Sequence, residues 1–171
     1  MSDTYYVKTF GGLEITNDNV TVNIVELFGK QLVNLLQVLL FHSEKPVQKD
    51  ELIDILWPES KNPSSALKFS IFRLRAELNE IEFFKDKEVI VTTRKGYILN
   101  PNLDWNIDFV ELEKSYNQIN DGSELLDEKE FKTARKIFRL YQGRFYASPS
   151  QLHWILQKQE IFRQMYVKAC F

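Results

Sequence analysis

The stretch Asn62–Leu78, NPSSALKFSIFRLRAEL, decides how the rest of the chain is read. It carries the marks of a single helix. Asn62 stands where a side-chain oxygen can take a free N–H of the first turn. Pro63 suits the first helical position, where its missing N–H would be unpaired anyway. Leu67, Ile71, Leu74 and Leu78 recur at helical spacing and form one buried stripe. Lys68, Phe69, Phe72, Arg73 and Arg75 are left off that stripe. A plain surface helix has no use for two phenylalanines among cations. A helix pressed into a DNA groove does, and so does one whose phenylalanines pack on a neighbour.

Immediately upstream, Lys49–Trp57 is short and amphipathic, with Leu52, Ile53, Leu56 and Trp57 on one face. Pro58 bars its continuation, and Glu59–Lys61 is a polar connector. Two helices joined by a short turn, the second with a basic face, follow the helix-turn-helix plan. Downstream, Val89–Thr93 and Tyr97–Leu99 flank Arg94-Lys95-Gly96. This predicts a β-hairpin with a basic tip and with glycine where a positive φ is needed. A basic hairpin after a basic helix reads as a wing that grips phosphates. Further upstream, Lys30–His42 is apolar nearly all round and belongs in the middle of a core. Tyr5–Ile24 reads as a small antiparallel sheet, its strands separated by Gly11-Gly12 and Asn17-Asp18-Asn19. Gly11-Gly12 lacks the further glycines and the Lys-Ser/Thr of a phosphate loop.

Past a boundary placed near Asp104 the pattern is helical. Phe109, Leu112, Tyr116 and Ile119 form one stripe, and Phe131, Ala134, Ile137, Phe138 and Tyr141 a second, stopped by Gly143. Asn120–Asp127 reads as the loop between them, with Asp127 as a cap. Ser148-Pro149 is expected to open a third helix, with Trp154/Ile155, Ile161/Phe162 and Met165/Tyr166 tracking its apolar face. That helix reaches Phe171 with no capping signal, so the natural chain is expected to continue.

The 171 residues carry a net charge of −2, which by itself argues mildly against nucleic acid. Distribution counts for more than the sum. Lys61, Lys68, Arg73 and Arg75 fall in a stretch without an acid, between acids at Asp50, Glu51 and Asp54 and at Glu77, Glu80 and Glu82. A single Cys170 excludes an intrachain disulfide and fits the cytosol. No signal peptide is visible, and Leu32–Phe41 is too short to span a bilayer. His42 and His153 have no partner at ligand spacing, and no nucleophile–base set is visible. No metal, cofactor or enzymatic activity is therefore assigned.

The segments DELIDILW, SIFRLRAEL and TTRKGYIL, in this order behind a small sheet, resemble the winged-helix effector domain of OmpR-type regulators. The version they most resemble is that of the antibiotic-regulatory (SARP) family of bacterial transcription activators. IDFVELEK and ARKIFRLYQGRFY, followed by Trp154, are similar to the bacterial transcriptional activation domain of the same family. The resemblance implies an α+β winged helix over residues 1–103, with a four-stranded N-terminal sheet, three helices and a C-terminal β-hairpin wing. An all-α, TPR-like helical domain is implied over 104–171, as a partial activation domain. It further implies double-stranded DNA as partner, with base contacts on Lys68, Phe69, Phe72 and Arg73. Phosphate contacts would fall on Ser65, Arg75, Thr93, Arg94 and Lys95. RNA polymerase and a second copy on repeated sites are the implied partners of the helical part, and the cytoplasm is the implied location. Two positions depart from the family pattern. Gln48 stands where a Ser or Thr often caps, and Phe72 where a cation is common. Phe72 would then read a thymine methyl or simply pack. An alternative reading makes the exposed Phe69 and Phe72 a protein-docking patch.

Overall fold

The computed structural model describes residues 4–120, 128–146 and 152–170. In chain order the elements begin with strands β1 (Thr4–Lys8), β2 (Glu14–Asn17) and β3 (Val20–Asn23). Helices α1 (Ile24–Leu27), α2 (Lys30–Phe41), α3 (Lys49–Leu56) and α4 (Pro63–Asn79) follow. Next come a 3-10 turn at Glu82–Phe84 and strands β4 (Ile90–Thr93), β5 (Gly96–Leu99) and β6 (Asp104–Ile107). Helices α5 (Asp108–Asn120), α6 (Glu128–Leu140) and α7 (His153–Cys170) end the described chain. The fold is an α+β winged helix with a helical C-terminal part. Residues divide into two compact units, Val25–Asp104 and the combination of Met1–Ile24 with Trp105–Phe171.

Val25–Asp104 is built on α2. Every residue from Leu32 to Leu40 of this helix is buried, Asn34 and Gln37 included, as expected of a helix apolar on all sides. α3 and α4 pack on it and on each other. α4 contributes Leu67, Ile71, Leu74 and Leu78, the stripe read from the sequence, and Ser70 joins them. Asn62 holds the N-cap position, but its side chain makes no capping bond. Its own N–H donates to Ser60 Oγ at 3.2 Å. Pro63 stands in the first turn of α4 as expected. β4 and β5 pair antiparallel, from Ile90 opposite Leu99 to Thr93 opposite Gly96, so Arg94 and Lys95 form the tip. Val47 extends this hairpin: its N–H donates to the Tyr97 carbonyl at 2.8 Å and its carbonyl accepts from the Tyr97 N–H at 3.0 Å. Gly96 has a φ of +142°, the positive value anticipated for the glycine.

In the other unit the sheet order is β3-β2-β1-β6. β1 alternates as a half-buried strand should, Tyr5 and Val7 inward and Tyr6 outward. The expectation was a four-stranded sheet wholly ahead of the helices, and a purely helical pattern past Asp104. Instead β6 supplies the fourth strand, with Trp105 against Tyr5 at 5.3 Å between ring centroids. The compact units therefore do not follow a split at residue 103. The sheet groups with the helical part, because β6 lies beside β1 and leads directly into α5. The link is polar as well. Asp108 Oδ2 accepts the backbone N–H groups of Thr9 and Phe10, and Oδ1 accepts the Thr9 hydroxyl. Burial raises the Asp108 pKa above its ordinary value, against the lowering effect of these bonds. The core here is aromatic. Phe162 packs edge-on against Phe10 at 5.4 Å, and Phe145 lies 4.8 Å from Phe162. Phe109, Leu112, Ile137 and Ile155 are buried as the stripes anticipate. Phe138 and Ile161, placed on apolar faces from the sequence, are exposed. Asn120 closes α5, and the rest of the expected Asn120–Asp127 loop with its cap, the Ser148-Pro149 helix start, Phe171, and the side chains of Ile119 and Phe131 lie outside the described residues.

A candidate nucleic-acid interface on α4 and the hairpin

The buried stripe of α4 fixes what its other face must present. Ser65, Lys68, Phe69, Phe72, Arg73 and Ala76 fall at three- and four-residue spacing and are all exposed, so they form one ridge. Phe69 is 62% and Phe72 70% exposed, values that exclude ordinary core packing within this chain. Phe69 also walls a cleft of about 420 Å³, lined by Lys30, Leu32, Trp57, Ala66 and Arg73 among others. Arg73 reaches Glu77 at 3.4 Å with its side chain still half exposed. A surface pair of this kind contributes about 0–1 kcal/mol, so Arg73 can exchange Glu77 for another acceptor at little cost.

Arg75 behaves differently. Its Nε and one terminal nitrogen donate to the Ile90 carbonyl at 3.3 and 3.1 Å, and the same nitrogen donates to Thr92 Oγ1 at 2.7 Å. The guanidinium thus spends its fork on β4 and ties the wing to α4. At the tip, the Thr93 hydroxyl donates to the Gly96 carbonyl at 3.0 Å and accepts the Lys95 N–H at 3.1 Å. This local turn chemistry holds Arg94 and Lys95 outward, both exposed. Behind the wing, Lys49 Nζ lies 5.9 Å from the centre of the Tyr97 ring.

Residues 23–99 match the family described as transcriptional regulatory protein, C terminal. This segment is a regulator domain of that family. Over 96% of the chain, the fold also matches a structure of Mycobacterium tuberculosis EmbR in complex with a low-affinity phosphopeptide, at a TM-score of 0.68 and 18% identity. The chain spans 43% of that EmbR chain. The DNA-binding domain of E. coli CadC is a further solved structure with similarity, at 26% identity and a TM-score of 0.41, covering 54% of this chain and 89% of its own. No curated protein matches the chain.

Within the regulator domain, two elements carry the anticipated residues. Ser65, Lys68, Phe69, Phe72 and Arg73 share the α4 ridge, and Thr93, Arg94 and Lys95 share the hairpin end. Arg75 stands between ridge and stripe and is directed to the hairpin. Its partner is a backbone carbonyl fifteen residues away, and no spacing in the sequence signals such a bond. Val47, a third, one-residue strand beside β5, also escapes sequence reasoning, since a single bridging residue leaves no alternation to detect. No described helix is long and apolar enough to cross a membrane.

Proposed function

We propose that this chain is a sequence-specific, DNA-binding transcription activator whose α4 lies in the major groove while the β4–β5 wing holds the backbone. Arg73 offers a bidentate fork to a guanine edge, and Lys68 offers a hydrogen-bond donor to a base edge. Phe69 and Phe72 offer apolar contact to thymine methyl groups. Ser65, Thr93, Arg94 and Lys95 serve the phosphates. Arg75 serves as the brace that sets the wing, in place of the phosphate contact its family position implies. The observation that carries this reading is the exposed ridge of cations and phenylalanines on a helix whose opposite face is fully buried. The helical part would contact RNA polymerase or a second copy on repeated sites.

Selection of bound duplexes from a random pool, followed by titration at several salt concentrations, tests the reading. One preferred site should emerge, and affinity should fall steeply with salt. Arg73→Ala should cost about 1–3 kcal/mol on that site and relax its sequence preference. Absence of any enriched site would refute it. The exposure of Phe69 and Phe72 beside the cleft supports a second reading, a domain that docks a protein partner. That reading requires Phe69→Ala and Phe72→Ala to abolish a protein complex while DNA binding is absent from the start.

A further inference from the structure

The positive charge of this chain is concentrated in its C-terminal segment. From Lys132 to Phe171 there are eight cations and one acid, Glu160. With a net charge of −2 for the whole, that +7 segment stands against −9 on the other residues. Val25–Asp104, which contains the proposed reading helix and wing, has eleven cations and twelve acids. Its basic face is local, and Arg75 is withdrawn from it by the Ile90 and Thr92 bonds.

Past Glu128 and Glu130 in its first turn, α6 carries cations alone. Lys132, Arg135, Lys136 and Arg139 recur at three- and four-residue intervals, and all four are exposed. They make one ridge about 10 Å long. Lys136 pairs with Glu111 at 3.1 Å. Arg139 has no carboxylate partner among the residues whose side chains are described. The opposite side of the helix is anchored by Ile137, which is fully buried, so the ridge cannot turn inward without unpacking α6. Phe138, the exposed apolar neighbour, sits off the ridge and stacks toward Tyr166 at 6.2 Å between ring centroids. The ridge itself is cationic with an alkyl base. Protein–protein interfaces deplete charge at their centres, whereas a duplex offers one charge per ~3.4 Å along each strand, a pitch that a row of cations about 10 Å long can follow.

We propose that the α6 ridge is a second DNA contact, one that holds phosphates and reads no bases. This rests on the DNA-binding reading of α4 and adds to it a source of affinity that is independent of sequence. The test uses the full chain and two duplexes of about 30 base pairs, the selected site and a scrambled one, titrated between about 50 and 200 mM salt. Lys132→Gln/Arg135→Gln/Arg139→Gln should weaken binding to both duplexes by the same factor, about tenfold or more at intermediate salt. The slope of log affinity against log salt should become shallower by roughly 2–3, at about 0.9 for each phosphate no longer neutralised. The sequence preference should not change. Lys132→Arg/Arg135→Lys/Arg139→Lys should retain the parental slope, which separates loss of charge from damage to the helix. Should the triple variant fold poorly by circular dichroism, Arg139→Gln alone reads the same effect as a slope change of about 0.9. An unchanged slope and affinity in the Gln variants overturns the proposal, even if an acidic protein were then found to bind the ridge. If the parent binds DNA and Arg73→Ala relaxes its preference, that failure is confined to α6. If the parent binds no DNA at all, both readings fall.

Discussion

Gly96→Ala is the most incisive single test of how the wing is held. Glycine is required there on two counts. Its φ of +142° is one that side chains rarely adopt, and a Cβ built on it would lie 1.9 Å from the Val47 carbonyl oxygen and 2.6 Å from its carbon. Backbone on both sides leaves no flexible side chain to yield. To reach ordinary contact near 3.4 Å, β5 and the Val47 segment must separate by about 1.5 Å. That breaks the two bonds between Val47 and Tyr97, now at 2.8 and 3.0 Å. Each such bond contributes about 1 kcal/mol net, and the strained φ adds roughly 1–3 kcal/mol. A loss of about 3–5 kcal/mol follows. Urea unfolding followed by circular dichroism should show it, and amide exchange at Val47 and Tyr97 should accelerate before global unfolding. Gly12→Ala is the matched control. Its φ is +153°, yet a Cβ there meets nothing within 4 Å, so it carries the backbone strain alone. DNA binding should weaken in Gly96→Ala, because Arg94 and Lys95 follow the hairpin when it shifts. A variant within about 0.5 kcal/mol of the parent, the ordinary range for a surface change, with unaltered exchange at Val47 and Tyr97, would refute this account of the wing.

Arg75→Met keeps the alkyl packing but drops the bonds to Ile90 and Thr92. It should cost about 1–2 kcal/mol of stability and leave the salt slope of DNA binding unchanged; a slope shallower by about 0.9 would mark Arg75 as a phosphate contact instead. Gln48→Ser places a capping hydroxyl where the Gln48 side chain makes no capping bond at an extended φ,ψ of −64°, 146°. It should raise the unfolding free energy by about 0.5–1 kcal/mol, read as a higher urea midpoint. Asp108→Asn tests the buried carboxylate: its folded pKa is raised, mainly by burial, so the folded state holds its proton more tightly than the unfolded chain. Its contribution to stability therefore grows as pH falls from the raised value toward the ordinary 3.8 and shrinks as pH rises. An amide can accept from Thr9 and Phe10 and donate to the Thr9 hydroxyl, so the variant should fold and lose that pH dependence in stability curves measured through the mildly acidic range.

Much of the fold was legible because the signals were local. The leucine and isoleucine stripe of α4, the unbroken apolar run of α2 and the glycine of the wing each follow from a period or a forbidden φ. β6 was not legible. Asp104–Ile107 is only four residues long, with just Trp105 and Ile107 placed inward, and its strand character comes from lying beside β1. Phe138 and Ile161 were misjudged because a helix pair leaves apolar residues outside the contact, and a stripe cannot say where the neighbour ends. The α4 ridge was readable by subtraction, once the buried stripe was known. The role of Arg75 was not, since the acceptor that captures it is a main-chain oxygen supplied by another element.

The composition of the α4 ridge bears on how affinity and specificity divide. Phenylalanine discriminates by contact with methyl groups and neutralises nothing, so each phenylalanine at a reading position removes a potential phosphate or base-edge charge. If Arg73 and Lys68 are spent on base edges, Lys61 remains ahead of the helix, and Arg94 and Lys95 on the wing. Three cations neutralising three phosphates give a salt slope no steeper than about −2.7. A steeper slope for the whole chain therefore requires cations that neither α4 nor the wing tip supplies. A measured slope steeper than that bound, lost in the Lys132/Arg135/Arg139 variant, would mean that base discrimination falls to the mixed ridge of α4 and counterion release in part to the cations of α6.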